Sequence, residues 1–268
     1  MRSKWRLAGY VCAAVLLHEG TAIAANVEIS ANDIGGQVVG AGGPEAGVWV
    51  IAETSDLPTK YAKVVVTDEQ GRFVIPELPA ANYTVWVRGY GVQDTARQQA
   101  RPGHLLDFKT AAASPKQDAQ NYPGMYWYAM LDIPKPEEFP GTGAKGNKMP
   151  ETMKSQSQWV DTVKNMCQSC HALGSRGIRE IPTLFMEGHD SQTAWAMRTQ
   201  AGQAQEYMAT VLASMGPDKV YELFAKWTDR IAAGELPFDR PDRPKGIERN
   251  VVYTMWDWAA PTRYQHDA

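Results

Sequence analysis

The sequence predicts two unlike units in one chain, an all-β sandwich followed by an all-α domain. Three observations carry this multidomain reading. Between residues 26 and 112, short runs rich in Val, Ile, Tyr, Phe and Trp alternate with Gly, Pro, Asn and Asp. Between residues 151 and 236, apolar residues recur at helical spacing instead. The stretch from 113 to 150 belongs to neither pattern. The 268 residues are 44% hydrophobic and 21% charged, enough apolar material for two small cores. A formal net charge of −3 supplies no basic field and argues against a nucleic-acid partner.

The first residues read as an export signal. MRSKWR supplies Arg2, Lys4 and Arg6, residues 7–17 form a short apolar run, and Ala22-Ile23-Ala24 is a small-residue cleavage pattern. The apolar run is too short to span a bilayer, so no membrane span is expected once residues 1–24 are removed. Removal takes away three positive charges and Glu19, moving the formal charge from −3 to −5. A periplasmic or secreted bacterial location follows from this reading. Of three cysteines, Cys12 lies in the signal, leaving Cys167 and Cys170.

Within the β unit, GVWVIAE, AKVVVTDEQGRFVIPEL and NYTVWVRGYG read as strands. Tyr83, Val85 and Val87 should face one side, with Thr84 and Trp86 on the other. Asp68 to Gly71 should form a tight hairpin turn. On Gly71, Phe73, Leu78, Pro79, Ala80, Tyr83, Val85 and Val87, this region resembles the carboxypeptidase regulatory-like domain, a transthyretin-like sandwich; Ala81 stands where that family usually has Gly. The resemblance implies a fold and an interaction or spacer role, with some relatives sharing a fold with carbohydrate-binding modules, and assigns no activity.

AAASPKQDAQ reads as a linker, and the following stretch to residue 150, with Tyr126, Trp127 and Tyr128 in a row, as irregular aromatic coil between the domains. In the helical unit, Trp159, Val163, Met166 and Cys170 fall on one helix face. Val220, Leu223, Phe224, Trp227 and Ile231 form the stripe of a last helix, started by Pro217 and stopped by Gly234. Residues 237–268 turn to a charged, Pro-rich loop and then a strand-like run with Trp256 and Trp258. That run has no partner in the sequence pattern, so it reads as the possible start of a missing domain.

CQSCH, residues 167–171, is the motif that carries chemistry. Two thiols three apart on a helical turn can both reach the vinyl groups of a haem, and His171 then falls beneath the iron. A dithiol redox centre would want a βαβ context. A zinc site needs four ligands, whereas His104, His189 and His266 are scattered and no further cysteine remains. A plain disulfide or a chance match is the remaining reading.

The helix before CQSCH, Pro182-Thr183-Leu184 after it, a Met-bearing segment and a last helix together resemble a monohaem class I cytochrome c-like domain. The resemblance implies one covalent haem c, His171 as proximal iron ligand, and a hydrogen bond from His171 to the Pro182 carbonyl. It also implies a methionine as sixth ligand. Met208 ranks first and Met215 second, with Met197, His189 or an open site left as alternatives. Arg176, Arg179 and Arg198 are candidates for the haem propionates, Arg179 foremost.

The whole arrangement resembles bacterial periplasmic proteins that join these two domains and, in longer forms, carry a streptogramin lyase-like β-propeller. The expected function is an exported electron-transfer protein, not by itself an enzyme, working with a redox partner such as a periplasmic dehydrogenase or a respiratory-chain acceptor. The alternatives are a carbohydrate- or partner-binding module with a sensing or structural haem, in which Trp49, Trp86, Tyr90 and Tyr126 stack on sugar, or the non-catalytic arm of a larger enzyme.

Overall fold

The computed structural model describes residues 27–256. The export-signal reading of residues 1–24, and Trp258 and His266, lie outside the described residues.

Strands β1 (Ile34–Gly40), β2 (Gly43–Pro44), β3 (Trp49–Thr54), β4 (Tyr61–Val66), β5 (Arg72–Ile75), β6 (Tyr83–Arg88), β7 (Gln98–Ala100) and β8 (His104–Lys109) build an N-terminal two-sheet sandwich. One sheet centres on β1, with β5 and β2 antiparallel along one edge and β8 parallel along the other. The second runs β7-β6-β3-β4-β9, its last strand being β9 (Tyr253–Trp256). Period-two alternation buries Val50 and Ala52 from β3, Tyr61 and Val65 from β4, and Tyr83, Val85 and Val87 from β6 between the sheets. The Tyr83 hydroxyl, buried with its ring, donates to the Pro79 carbonyl at 2.9 Å.

The Asp68–Gly71 turn is tight, but it joins different sheets. Asp68 Oδ1 accepts from the amides of Gln70 and Arg72, and Gly71 turns with φ 70°, a conformation that suits a residue without Cβ. Beyond it β5 leaves β4 and pairs with β1, so the expected hairpin is a corner between sheets.

The helical region contains α1 (Pro115–Ala119), α2 (Gly124–Tyr128), α3 (Gln156–Thr162), α4 (Arg176–Arg179), α5 (Thr183–Met186), α6 (Ser191–Thr199), α7 (Gln205–Met215) and α8 (Pro217–Ala232). The stretch read as linker and coil is part of this unit. Ser114 and Gln117 close a capping box that starts α1. Trp127 of α2 is 1% exposed, donates to the Ala119 carbonyl, and offers its own carbonyl to Trp227 Nε1 of α8 at 2.9 Å. Trp127, Trp159 and Trp227 with Met149, Met153 and Met215 are the large side chains of this core. The sequence hides this because Pro and Gly interrupt every regular run, while isolated aromatics still fill the core.

After α8 the chain returns to the sandwich. Arg243 donates to the Tyr90 and Ala46 carbonyls and pairs with Glu45 at 2.6 Å, and Arg249 pairs with Glu69. β9 then adds antiparallel to β4, with Tyr61 opposite Trp256 and Val64 opposite Tyr253. The strand expected to lack a partner therefore completes the edge of the second sheet. Sequence pattern could not reveal this, because its partner lies at the other end of the chain.

Candidate functional site

The turn that carries CQSCH is built by a local change in helical winding. From Val163 to Cys167 the backbone is π-helical, and the Gln168 amide donates to the Val163 carbonyl at 3.0 Å. One residue more per turn rotates everything that follows, and such bulges favour functional positions. The expected stripe therefore splits. Trp159 and Val163 stay buried, but Met166 and Cys170 turn outward. The Cys167 carbonyl next accepts from the amides of Cys170, at 3.3 Å, and His171, at 3.0 Å. That single helical turn sets both thiols and the imidazole on the same cleft.

The cleft holds about 210 Å³. Cys167, Cys170 and His171 form one side, α7 brings Tyr207, Met208 and Val211, and Trp195 and Phe224 close the floor edge to face at 5.0 Å. The Tyr207 hydroxyl donates to Met166 Sδ at 3.0 Å between these sides. Both cysteines are free thiols. Burial, with Cys170 alongside, pushes the Cys167 thiol up to about 11.

The methionine alternatives separate clearly. Met208 lines the cleft, half-buried. Met215 is fully enclosed in the helical core, Met197 is exposed on α6, and His189 sits in an exposed loop. Neither Met215, Met197 nor His189 borders the cleft.

Two expected roles do not match the placement. Pro182 is exposed, and its carbonyl accepts from the Phe185 amide to start α5, so the His171 ring is not hydrogen-bonded to it; Leu184 is 73% exposed. Arg179, favoured for the propionates, faces away from the cleft. Its guanidinium lies 4.1 Å over the Trp127 ring and donates to the Gly174 carbonyl at 2.8 Å. The arginine that does line the cleft is Arg198. It donates to the Gly177 and Ile178 carbonyls and stacks 5.0 Å over Trp195, and burial lowers its pKa. The sequence reading put Arg179 first of three arginines, and the structure places Arg198 on the cleft instead. The deciding signal, that Ile178 and Arg179 leave a four-residue helix on opposite sides, is tertiary.

The donor set fits a covalently bound haem: two thiols and an imidazole on one turn, a thioether across an apolar cleft, and one cation at its edge. Among the described residues no three His, Cys, Asp or Glu side chains converge as a metal-binding group.

The sandwich aromatics form a seam. Trp49, Tyr90, Tyr122 and Tyr126 meet edge to face at 4.9, 5.8 and 6.0 Å, linking the sandwich to α2. Trp86 is covered by Arg88 and Arg97, with their guanidinium carbons 4.7 and 4.8 Å from its ring centre.

No family model matches the chain, and no curated protein does. Among solved structures, it is similar to a type II cohesin–X-dockerin complex, an N-terminal interface mutant, from Acetivibrio cellulolyticus. That match is 19% identical over 30% of this chain and 58% of that one, with a TM-score of 0.23. It is also similar to Klebsiella pneumoniae 5-hydroxyisourate hydrolase, at 19% identity over 34% of this chain and 100% of that one, with a TM-score of 0.22. The match spans less than two thirds of the cohesin-complex chain. At these scores neither likeness carries weight, and the sandwich rests on its own strand pairing. No helix among the described residues is long and apolar enough to cross a membrane.

Proposed function

We propose that the helical region carries one haem c, attached through Cys167 and Cys170, and that the protein is an exported electron carrier. The supporting observation is the convergence of Cys167, Cys170 and His171 with Met208 on a single apolar cleft. His171 and Met208 are the residues that would hold the iron. When bound, the group accepts and releases one electron, and thioether ligation raises its potential. The chain's own part is to fix and shield. The 167–171 turn orients the ring of His171, Trp195 and Phe224 exclude water, and Arg198 offers donors to a propionate while tied to two backbone carbonyls. With side chains of this chain holding the iron, the group would exchange electrons with a redox partner, a periplasmic dehydrogenase or a respiratory-chain acceptor.

The test is production of the chain with cytochrome c maturation, followed by pyridine haemochrome and reduced-minus-oxidised spectra. A c-type signal that persists after acid-acetone extraction, and that is lost in the Cys167→Ala, Cys170→Ala double variant, is expected. Haem that is extractable from the unmodified chain, or no haem at all, would refute the proposal.

A second reading, that the sandwich binds carbohydrate or a partner, is favoured by a shallow groove lined by Trp49, Tyr90, Tyr126 and Tyr253. A glycan array with the full chain tests it; absence of any sugar signal counts against it.

A further inference from the structure

A second cleft of about 360 Å³ lies behind the CQSCH turn, where α1, α2, α4, α6 and α8 meet. Its inner wall holds Arg179, 4% exposed. Burying a guanidinium is costly unless its charge and donors are matched. Here one face is matched by the Trp127 ring at 4.1 Å, and two donors are used, to the Gly174 carbonyl at 2.8 Å and to Gln120 Oε1 at a long 3.4 Å. An arginine has five N–H donors. Among the described residues no carboxylate pairs with it: neighbouring Glu180 is taken by Arg176, at 3.1 and 3.0 Å from its two oxygens. Burial accordingly lowers the Arg179 pKa, though arginine stays charged at neutral pH.

We propose that this cleft binds a small organic monocarboxylate, with Arg179 as its anchor. Trp127 covers the flat face of the guanidinium, so a ligand meets its edge, where paired N–H groups match a carboxylate. Lys116 on α1 lines the same cleft and adds a second cation. Across it Asp229 accepts from the Ser191 hydroxyl. Glu180 also lines the cleft but is paired with Arg176; with that pair neutral, Lys116, Arg179 and Asp229 leave one net positive charge, which suits a monoanion and disfavours a polyanion. Ile181 and Ile231 make the wall between the polar ends apolar, which suits a carbon body rather than an inorganic ion. Asp229 can accept from a hydroxyl at the far end of such a molecule. This site is separate from the haem proposal and does not depend on it.

Calorimetric titration of the full chain at pH 7 with lactate, benzoate and inorganic phosphate decides the matter. Saturable binding of at least one carboxylate is expected, with phosphate much weaker. Arg179→Lys keeps the buried charge but loses the fork, and surface Lys116→Ala leaves the fold alone; each should weaken carboxylate binding by about tenfold or more. No heat with either carboxylate, phosphate binding more tightly than both, or undiminished binding in both single variants would overturn the proposal.

Discussion

At the residue scale, the two cysteines of one pentapeptide live in different surroundings. Cys170 is exposed, while Cys167 is half-covered and its thiol is held near 11 by burial. In chain made without haem, iodoacetamide at pH 8 should therefore label Cys170 well before Cys167, as peptide mass analysis would read directly; equal labelling would contradict the placement of Cys167. The same shift makes stability depend on alkali. The unfolded thiol ionises first, near the ordinary thiol value of 9.0, and the folded one near 11. Protons are then bound more by the folded state, so stability is full below about pH 9 and falls as pH rises toward 11. A urea series across that window should show the fall, and Cys167→Ser should flatten it.

Two methionines give the next residue-level contrast. Met208→Ala should remove the near-infrared Met-to-iron band of holoprotein while changing stability little. Met215→Ala should keep the band and cost about 2–5 kcal/mol in urea unfolding, because Met215 is fully enclosed. A band unaffected by Met208→Ala would remove Met208 from the iron.

At the element scale, α2 and the motif turn touch backbone to backbone. A Cβ added at Gly174 would lie 1.6 Å from the Gly124 carbonyl oxygen, a contact no side-chain motion can relieve. Gly174→Ala should thus separate α2 from the turn and lower the melting temperature by several degrees, while Gly177→Ala, in open space, should leave it nearly unchanged. Elements differ in how far pattern alone reveals them. β6 and α8 are plain in the sequence because alternation at Tyr83, Val85 and Val87, and the helical stripe from Val220 to Trp227, record burial at fixed periods. α1 and α2 are not, because five-residue helices carry too few turns for a period to show. The rotated thiol of Cys170 is illegible for another reason: the π-turn at Val163–Cys167 leaves no composition signal, yet it turns Cys170 off the core face while Cys167 stays packed against it.

At the scale of the whole molecule, the two units are tied by the aromatic seam and by two sets of polar contacts. Asp118 of α1 accepts from the Gly91 amide at 2.7 Å, and the returning C-terminal segment is pinned by Arg243 to Tyr90, Ala46 and Glu45. Arg243 is partly buried and its acceptors include a carboxylate, so Arg243→Ala should cost about 1.5–3 kcal/mol. A cycle with Glu45→Gln should show non-additivity, and strict additivity would indicate that the two do not interact.

The strand that closes the second sheet also orders events in time. Tyr61 and Trp256 sit at nearly opposite ends of the described chain, yet they are neighbours in one sheet. A chain emerging N-terminus first, from a ribosome or through a translocation pore, exposes β4 long before β9 exists. Until then β4 is an open sheet edge, with unpaired amides and carbonyls of the kind that recruit stray strands. The whole helical unit is synthesised within that interval. Newly made sandwich is thus the species most exposed to mispairing, and the last strand serves as a late-arriving cover.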